Sequence, residues 1–377
     1  DQPVLDRALF PAPVQIAKLE LLRYEQSYLC RVTAQDGSTG ISVSNNLRMD
    51  YLYPIFLKRV APFFVGKDAR DLDQLTTEVY RWISNYKMQS YAVGVPVATV
   101  EFAILDLLGK QAGKSIGALL GPVVNQKVGI YLATRFRNRP AVESVALAQE
   151  KIAAGGYRAV KFKIGEKMGA NTEPIVGRTE ELIPFARRAF GPDIWLGVDA
   201  NGGYDVENAI RIGRLLQDNN YAFFEEPVPF DWYRESRQVA ASLDIPLAGG
   251  EQEASMRNFR WLVAEGTLGV YRQDMFYFGG MIRSLKVARM AAAAGYSCVP
   301  HLSGSGLGYL YALHFVSALP NAGPYHPSSR DDDHPIPIEC STSSLRVEDG
   351  FVTVPTGPGL GVEIDPEFIE KHQLVQG

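Results

Sequence analysis

Seven ionisable side chains stand in or just after short apolar runs, and their types suit proton transfer and cation binding. In chain order they are Lys161, Lys163, Asp199, Glu225, Glu251, Asp274 and His301. The intervals after Lys161 are 38, 26, 26, 23 and 27 residues, and each suits one strand followed by one helix. Because the carboxyl ends of parallel barrel strands meet at one rim, we expect these side chains to converge there.

Three of these side chains, Asp199, Glu225 and Glu251, are carboxylates that would come from successive strands. Carboxylates that face one point repel each other unless a cation lies between them. A ligand set made only of oxygen favours Mg²⁺ or Mn²⁺ over zinc and leaves positions for water or substrate. Each acid alone could instead cap the next helix, but three at successive strand ends favour a metal site.

The pair Lys161 and Lys163 is separated by one residue, so on a strand both side chains point to the same side. Adjacent ammonium groups lower each other's pKa, which makes a lysine usable as a base. A solvated edge pair is the alternative. The apolar neighbours Val160, Phe162 and Ile164 favour a buried strand instead.

His301 and Asp274 form a second acid/base candidate. A carboxylate on a neighbouring strand could hold the imidazole tautomer and raise its basicity. A lone histidine can also be purely structural. The position of His301 at a strand end, followed by the small residues 303–306, favours a catalytic role.

Apolar runs alternate with helical stretches from about residue 126, which predicts parallel strands joined by crossover helices. The runs cover 128–132, 159–164, 194–198, 221–224, 245–248, 268–271 and 297–300. Their number and spacing suit a (β/α) barrel of about 250 residues. A doubly wound open sheet is the rival, and the lack of a glycine-rich phosphate loop after the first run weakens its dinucleotide-binding form.

Three regions follow from these patterns. Residues 1–125 predict an α+β capping domain, with strands near 14–22 and 28–33 and a helix through 100–108. Residues 126–340 predict the barrel. Residues 341–377 predict a tail that contains a hairpin and returns to the cap.

Composition excludes several classes of protein. A net charge of −4 gives no electrostatic footprint for nucleic acid or an anionic membrane, and no uninterrupted apolar run approaches the ~18 residues of a membrane helix. Three widely spaced cysteines predict neither a disulfide framework nor a structural zinc site. We expect a cytoplasmic protein, although a chain that begins at Asp1 is also compatible with a cleaved signal peptide.

The ordered motifs resemble the mandelate racemase subgroup of the enolase superfamily over nearly the whole chain. They are Lys161-Phe162-Lys163, Asp199-Ala200-Asn201, Glu225-Glu226-Pro227, Gly250-Glu251, Asp274 and His301. The resemblance implies a (β/α)7β TIM-like barrel with an α+β N-terminal capping domain completed by the C-terminal tail. It also implies one essential Mg²⁺ and abstraction of the proton α to a substrate carboxylate.

The resemblance also implies roles for individual residues. Asp199, Glu225 and Glu251 match the metal ligands, Lys163 the base on one face of the substrate, and Lys161 the lysine that contacts its carboxylate. The dyad of His301 and Asp274 matches the acid/base on the opposite face.

His326, after Pro320-Asn321, stands where the family places an acid that donates to the substrate carboxylate, and an imidazolium could donate the same hydrogen bond. Further substrate-binding candidates are Asn201 and, in the cap, Tyr24, Tyr28, Asn45 and Asn46.

Two opposed acid/base groups suit β-elimination, which needs a base and an acid that expels hydroxide. We therefore expect a Mg²⁺-dependent dehydratase that converts a sugar acid, an aldonate or aldarate, to a 2-keto-3-deoxy acid. The same residues could run racemisation, epimerisation or lactone cycloisomerisation, and a non-catalytic sugar-acid-binding relative is a third possibility. The expected partner is a small-molecule carboxylate, and the expected assembly is a homo-oligomer.

Overall fold

Two sheets organise the chain: an antiparallel sheet near the amino terminus and a curved parallel sheet in the middle. The computed structural model describes residues 2–301, 303, 306–328, 340 and 345–376. Part of the small-residue segment 303–306, which follows His301, therefore lies outside the described residues. The same is true of most of 329–344.

The antiparallel sheet contains β1 (Ile16–Tyr24), β2 (Ser27–Ala34) and β3 (Thr39–Val43). β2 and β3 form the hairpin that the turn at 35–38 predicts, with the backbone of Gly37 at φ 86°. A last strand, β13 (Gln373–Leu374), pairs antiparallel with β1. The carboxyl-terminal end of the chain is therefore part of the amino-terminal sheet.

Along the chain, five α-helices lie between the last strand of the hairpin, β3, and the first strand of the parallel sheet. They are α1 (Asn46–Ile55), α2 (Ala61–Phe64), α3 (Leu72–Glu78), α4 (Tyr91–Ala112) and α5 (Ile116–Leu120). α4 is long and apolar enough to cross a membrane, but 94% of its most apolar stretch is buried inside the protein. It ends at Gly113, which adopts the left-handed conformation that suits glycine. α4 is a core helix between the antiparallel sheet and the rest of the chain.

Two buried carboxylates of α4 hold other segments in place. Glu101 accepts hydrogen bonds from the backbone N–H groups of Met281 and Ile282, and burial raises its pKa to about 8. Asp106 accepts hydrogen bonds from the backbone N–H groups of Ile41 and Leu360, each at 2.9 Å. A buried backbone N–H group without an acceptor costs about 1–3 kcal/mol, so these contacts fix the tail and a barrel helix against α4.

The parallel sheet contains eight strands in chain order around its curve. They are β4 (Lys127–Ala133), β5 (Ala159–Lys163), β6 (Trp195–Asp199), β7 (Phe224–Glu225), β8 (Leu247–Gly249), β9 (Val270–Tyr271), β10 (Ser297–Cys298) and β11 (His326–Pro327). Each of the seven apolar runs predicted as strands overlaps one of them. The ends of the sheet meet because the backbone N–H of Cys298 donates to Asn321 at 2.9 Å and that of Gly323 donates to Cys298 at 3.1 Å. The chain therefore folds as the predicted TIM-like barrel with a capping domain.

Helices follow the barrel strands and cover their outer faces. They are α6 (Ala141–Gly155), α7 (Arg178–Phe190), α8 (Val206–Asp218), α9 (Tyr233–Ala241), α10 (Met256–Ala264), α11 (Met275–Phe278), α12 (Met281–Ala293) and α13 (Gly308–Ser317). α6 stops at Gly156, as the Gly155-Gly156 pair predicts. Asp205 and Ser255 cap the amino ends of α8 and α10 through their side-chain oxygens. These caps fix where each helix leaves the barrel rim.

The tail contains β12 (Phe351–Thr353) and α14 (Pro366–Lys371), followed by β13. β12 pairs antiparallel with β4, so the hairpin predicted around Asp349 adds to the barrel sheet before the chain returns to the cap. The domain boundaries at 125 and 340 stay predictions. Within the barrel, Tyr131, Ala159 and Val299 fill the lower interior, and the polar side chains of the strand ends lie above them.

Candidate active site

The three predicted metal ligands meet at the carboxyl end of the barrel. Asp199 and Glu225 end the paired strands β6 and β7, and Glu251 follows β8. One carboxylate oxygen from each lies within 4.8 Å of the other two. Asp199 and Glu225 are fully buried, and Glu251 is almost so. The donor set fits a divalent cation that prefers oxygen, because carboxylates this close and this buried need a shared counter-charge.

Lys161 and Lys163 point from β5 toward the same carboxylates. Nζ of Lys161 donates to Asp199 at 3.2 Å and also pairs with Glu225. Nζ of Lys163 pairs with Asp199 and donates to Oδ1 of Asn201 at 2.8 Å. Lys161 is buried, whereas the side chain of Lys163 is 19% exposed. Lys163 is therefore the lysine that a small molecule in the barrel mouth can reach more easily.

The mutual lowering of the pKa of the two lysines stays a prediction, because the carboxylates beside Lys161 act on its pKa in the opposite direction. Burial by itself lowers the pKa of Lys161. The carboxylates of Glu225 and Asp199 raise this pKa by more than burial lowers it, so the net shift is upward. The same contacts hold the pKa of the Asp199 carboxyl below its usual range, although burial alone would raise it. The sequence pattern counts the two ammonium groups but not the buried carboxylates that they contact.

Arg272, which the sequence analysis missed, is a third cation beside the carboxylates. It follows β9, and its Nε lies 2.6 Å from Oε1 of Glu225 while its Nη2 donates to the hydroxyl of Tyr131 at 2.8 Å. Only 1% of Arg272 is exposed. One signal could have found it: Arg272 is two residues before Asp274, so both can face the barrel interior.

His301 lies beside both Asp274 and the carboxylate set. Its Nδ1 lies 2.7 Å from Oδ2 of Asp274, and its Nε2 lies 3.4 Å from Oε2 of Glu251. Burial lowers the pKa of His301, but Glu251 and Asp274 raise it more, so the net direction is upward. The other carboxylate oxygen of Asp274 accepts the backbone N–H groups of Phe276 and Tyr277 at 2.9 Å. Asp274 is thereby fixed, and it fixes the imidazole with Nε2 toward the barrel mouth.

The double role of Asp274 gives a testable prediction. In Asp274→Asn the side-chain oxygen can still cap α11, but the amide presents N–H to Nδ1 of His301 and disfavours the required tautomer. We expect kcat to fall by about 100-fold or more, within the range for general acid/base groups, with little change in thermal stability. Asp274→Ala should show the same loss of kcat and also a lower Tm, because removing an N-cap costs ~1 kcal/mol.

An Asp274→Asn protein that keeps wild-type kcat would contradict this role. Steady-state kinetics and thermal unfolding of the two variants separate the effect on the histidine from the effect on the helix cap.

Asn201 connects the two sides of the carboxylate set. Its backbone at φ 45° turns sharply after Asp199, and its N–H donates to Asp199 at 2.9 Å. Its Oδ1 accepts from Lys163 and from Arg137, both at 2.8 Å, and its Nδ2 donates to Glu226 at 3.2 Å. Asn201 therefore positions Lys163, and it also lines a cavity at the barrel mouth.

Two cavities open at this end of the barrel. The larger, of about 440 Å³, lies under the cap, and we call it the cap-side cavity; its walls include Arg48, Tyr91, Glu251 and Tyr277. The smaller, of about 300 Å³, lies over β4 and β11, and we call it the basic cavity; its walls include Arg135, Arg137, Lys161, Arg272 and Ser328. Lys163, Lys167 and His301 line both. The two proposed acid/base groups thus stand where the cavities join.

The cap reaches the site through residues that the sequence analysis did not select. Arg48 on α1 donates to the hydroxyl of Tyr277 at 3.3 Å, and its guanidinium lies 5.8 Å from the ring centre of Tyr91. Both rings and Arg48 line the cap-side cavity. No charge run or apolar periodicity marks these positions, because only the packing of cap on barrel brings them to the rim.

The four cap residues predicted to bind substrate line neither cavity. Asn45 caps α1 and donates to Ser303 Oγ at 3.0 Å, next to the site. Tyr28 donates to Asp50, Asn46 accepts the backbone N–H of Tyr28, and Tyr24 lies beside His372. Substrate contact from Tyr24, Tyr28 and Asn46 is not supported by these positions, because their side chains are used within the cap.

His326 is not placed as an imidazolium that donates to substrate. In β11 it stands in register with Ile130, which packs in the hydrophobic core, while Pro327 and Ser328 line the basic cavity. Its Nε2 donates to the carbonyl of Gly323 at 2.9 Å, and burial lowers its pKa to about 3. A neutral ring whose donor is already used cannot supply the expected hydrogen bond.

Comparison with protein families gives two matches that together cover most of the chain. Residues 4–121 match the N-terminal domain of the mandelate racemase / muconate lactonizing enzyme family. Residues 143–368 match the enolase C-terminal domain-like family.

Individual relatives span nearly the same length. Arabinonate dehydratase of Saccharolobus solfataricus is 27% identical over 317 residues, which are 84% of this chain and 82% of that protein. D-galactarolactone cycloisomerase of Agrobacterium fabrum is 29% identical over 322 residues, 83% of this chain and 82% of that protein. A crystal structure of a mandelate racemase/muconate lactonizing protein from Paracoccus denitrificans PD1222, complexed with magnesium, is similar with a TM-score of 0.85 at 26% identity, over 96% of this chain and 99% of that one.

Proposed function

The chain belongs to the mandelate racemase subgroup of the enolase superfamily, and we propose that it is a Mg²⁺-dependent dehydratase of a sugar acid. The substrate would be an aldonate or aldarate and the product a 2-keto-3-deoxy acid. Among its relatives, one of 27% identity is named an arabinonate dehydratase, which supports this reaction class.

One observation carries the proposal: Lys163 and His301, whose Nδ1 is held by Asp274, line the same cavities beside a buried set of three carboxylates. A proton α to a carboxylate is very weakly acidic, because its removal adds charge to an anion. A site that removes it needs a positioned base and fixed positive charge near the substrate carboxylate. This rim of the barrel offers both.

The chain's own residues divide the reaction as follows. Lys163 takes the α-proton, and Asn201 holds its ammonium group in place. Lys161 stabilises the negative charge that develops on the substrate carboxylate. His301 protonates the hydroxyl that leaves from the β-carbon, so that one water departs and the enol product tautomerises to the 2-keto acid.

Asp199, Glu225 and Glu251 would hold the Mg²⁺. A divalent cation there supplies Lewis-acid stabilisation of the substrate carboxylate. Lys161 and Arg272 also pair with Asp199 and Glu225, which keeps the ligand set together.

The direct test is a screen. Purified protein with Mg²⁺ is incubated with a library of aldonates and aldarates of both configurations at each carbon, and 2-keto acid formation is measured. We expect turnover of one or a few stereoisomers that is lost when EDTA replaces Mg²⁺. No keto acid from any member of a complete library would overturn the dehydratase proposal.

A second candidate function is lactone cycloisomerisation, which the relative from Agrobacterium fabrum favours. Racemisation would use the same pair of groups on opposite faces of one carbon. Solvent deuterium at the α-carbon without keto acid formation would support racemisation, and lactone conversion without loss of water would support cycloisomerisation. Substrate binding with no exchange at all would support a non-catalytic relative.

A further inference from the structure

The basic cavity holds more positive charge than one carboxylate needs. Six cationic side chains line it: Arg135, Arg137, Lys161, Lys163, Lys167 and Arg272. Among the described residues that line it, none is a carboxylate. A volume of about 300 Å³ leaves room for part of a small molecule, so the charge is available to a ligand.

Three of these cations pair with carboxylates. Lys161, Lys163 and Arg272 pair with Asp199 and Glu225 at the inner end of the cavity. Lys161 is also the residue next to the proposed position of the reacting carboxylate. The reacting end of a substrate is therefore accounted for without the outer cations.

Arg137 and Lys167 are different, because no carboxylate of the described residues lies within ion-pair distance of either. Arg137 is only 8% exposed, and its guanidinium contacts neutral acceptors alone: Asn201 at 2.8 Å, and the carbonyl oxygens of Ile164 and Asp199 at 3.3 and 3.4 Å. Lys167 is exposed and stands where the two cavities join. A buried guanidinium with no carboxylate in direct contact is costly, so the position of Arg137 favours an anionic ligand, and Lys167 adds a second cation to the same cavity.

We infer that the substrate carries a second anionic group, bound by Arg137 and Lys167 at the end away from the reacting carboxylate. In terms of the proposed function, on which this inference rests, the substrate is a dicarboxylic sugar acid, an aldarate, rather than an aldonate. A phosphate on the terminal carbon of an aldonate has the same charge chemistry and is the other source of such a group.

The test compares substrates that differ only at the far end. Gluconate, glucarate and 6-phosphogluconate form one set, and galactonate and galactarate form another. If the screen finds turnover in either series, we expect kcat/KM for the dianionic member to exceed that of the aldonate by about tenfold or more, since a charge-assisted hydrogen bond contributes that much. A preference for the phosphorylated acid over the aldarate would assign the group as phosphate.

A variant locates the effect. Lys167→Met should reduce the ratio of kcat/KM between dianionic and monoanionic substrates about tenfold, mainly through a higher KM for the dianionic substrate. Lys127→Met is the matched control, because Lys127 is exposed at the opposite end of β4. Its ratio should equal that of the wild type.

The two proposals fail in different ways. Equal or better turnover of the aldonates would overturn the second anionic group and leave the dehydratase proposal standing. Absence of any keto acid would overturn the dehydratase. The anionic group would then be tested by ligand-induced shifts in Tm, where glucarate should stabilise the protein more than gluconate does, and equal shifts would overturn it.

Discussion

Lys163→Met is expected to abolish proton abstraction from one face of the substrate. The substitution keeps much of the side-chain volume and removes only the amine, while Lys161 still pairs with Asp199, so the fold should persist. Loss of a general base lowers kcat by about 100-fold to 10,000-fold. The measurement is the rate of solvent deuterium incorporation at the α-carbon, together with keto acid formation, on the substrate that the screen identifies.

The stereochemistry of the loss makes this prediction specific. Lys163→Met should stop exchange for one configuration at the α-carbon and spare exchange that His301 catalyses from the other face. His301→Asn should show the reverse pattern. Lys127→Met serves again as the control for removal of one positive charge. Undiminished exchange by Lys163→Met with its own substrate would show that Lys163 is not the base.

The convergence of Asp199, Glu225 and Glu251 could be predicted from sequence because it depends on a repeat. Six of the seven apolar runs contain or are closely followed by one of these ionisable residues, and parallel strands with crossover helices bring all such ends to one rim. The dyad of Asp274 and His301 follows from the same rule, since β9 and β10 are neighbours. The fold class was predictable for the same reason: the spacing of the runs leaves room for one helix in each interval.

Arg272 and Arg137 escaped prediction for a different reason. Arg272 directly follows an apolar run, and only the closure of the barrel shows that its side chain points at Glu225 rather than at solvent. Arg137 lies in the loop after β4, where no periodicity says which side chain turns inward. Its position depends on the backbone carbonyl oxygens of Ile164 and Asp199 and on the side-chain amide oxygen of Asn201, at or just after the ends of β5 and β6. Charge at such positions is set by tertiary contacts, which residue spacing does not encode.

The error at His326 has a physical cause of the same kind. Position relative to Pro320-Asn321 suggested a group that faces the substrate, but the face of a strand changes with every residue. His326 is in parallel register with Ile130, so the two side chains lie on the same face of the sheet and the ring points away from the cavity. Sequence spacing places the end of the strand correctly. It cannot say on which face of the strand His326 lies, because a shift of one residue changes the face.

Glu251→Gln is expected to remove most of the affinity for Mg²⁺ while the apoprotein stays folded. Asp199 and Glu225 are paired with buried cations, so neutralising either would leave an unpaired charge in the interior. Glu251 has looser contacts, with His301 at 3.4 Å and Gln252 at 3.2 Å. The amide has nearly the same shape but carries no charge, so we expect the affinity for Mg²⁺ or Mn²⁺ in a calorimetric titration to fall at least about tenfold.

Thermal unfolding should then show a crossing pattern. Without metal, Glu251→Gln should be as stable as the wild type or slightly more so, because one of three crowded carboxylates has lost its charge. With Mg²⁺ at about 100 times its Kd, the wild type should gain about 2.7 kcal/mol by mass action, and the variant should gain much less. Glu235→Gln on the outer helix α9 removes the same charge far from the carboxylate set and should behave as the wild type in both conditions. Wild-type metal affinity in Glu251→Gln would mean that the cation is held elsewhere, because a site that binds equally well without one of its three charged ligands is not built from them.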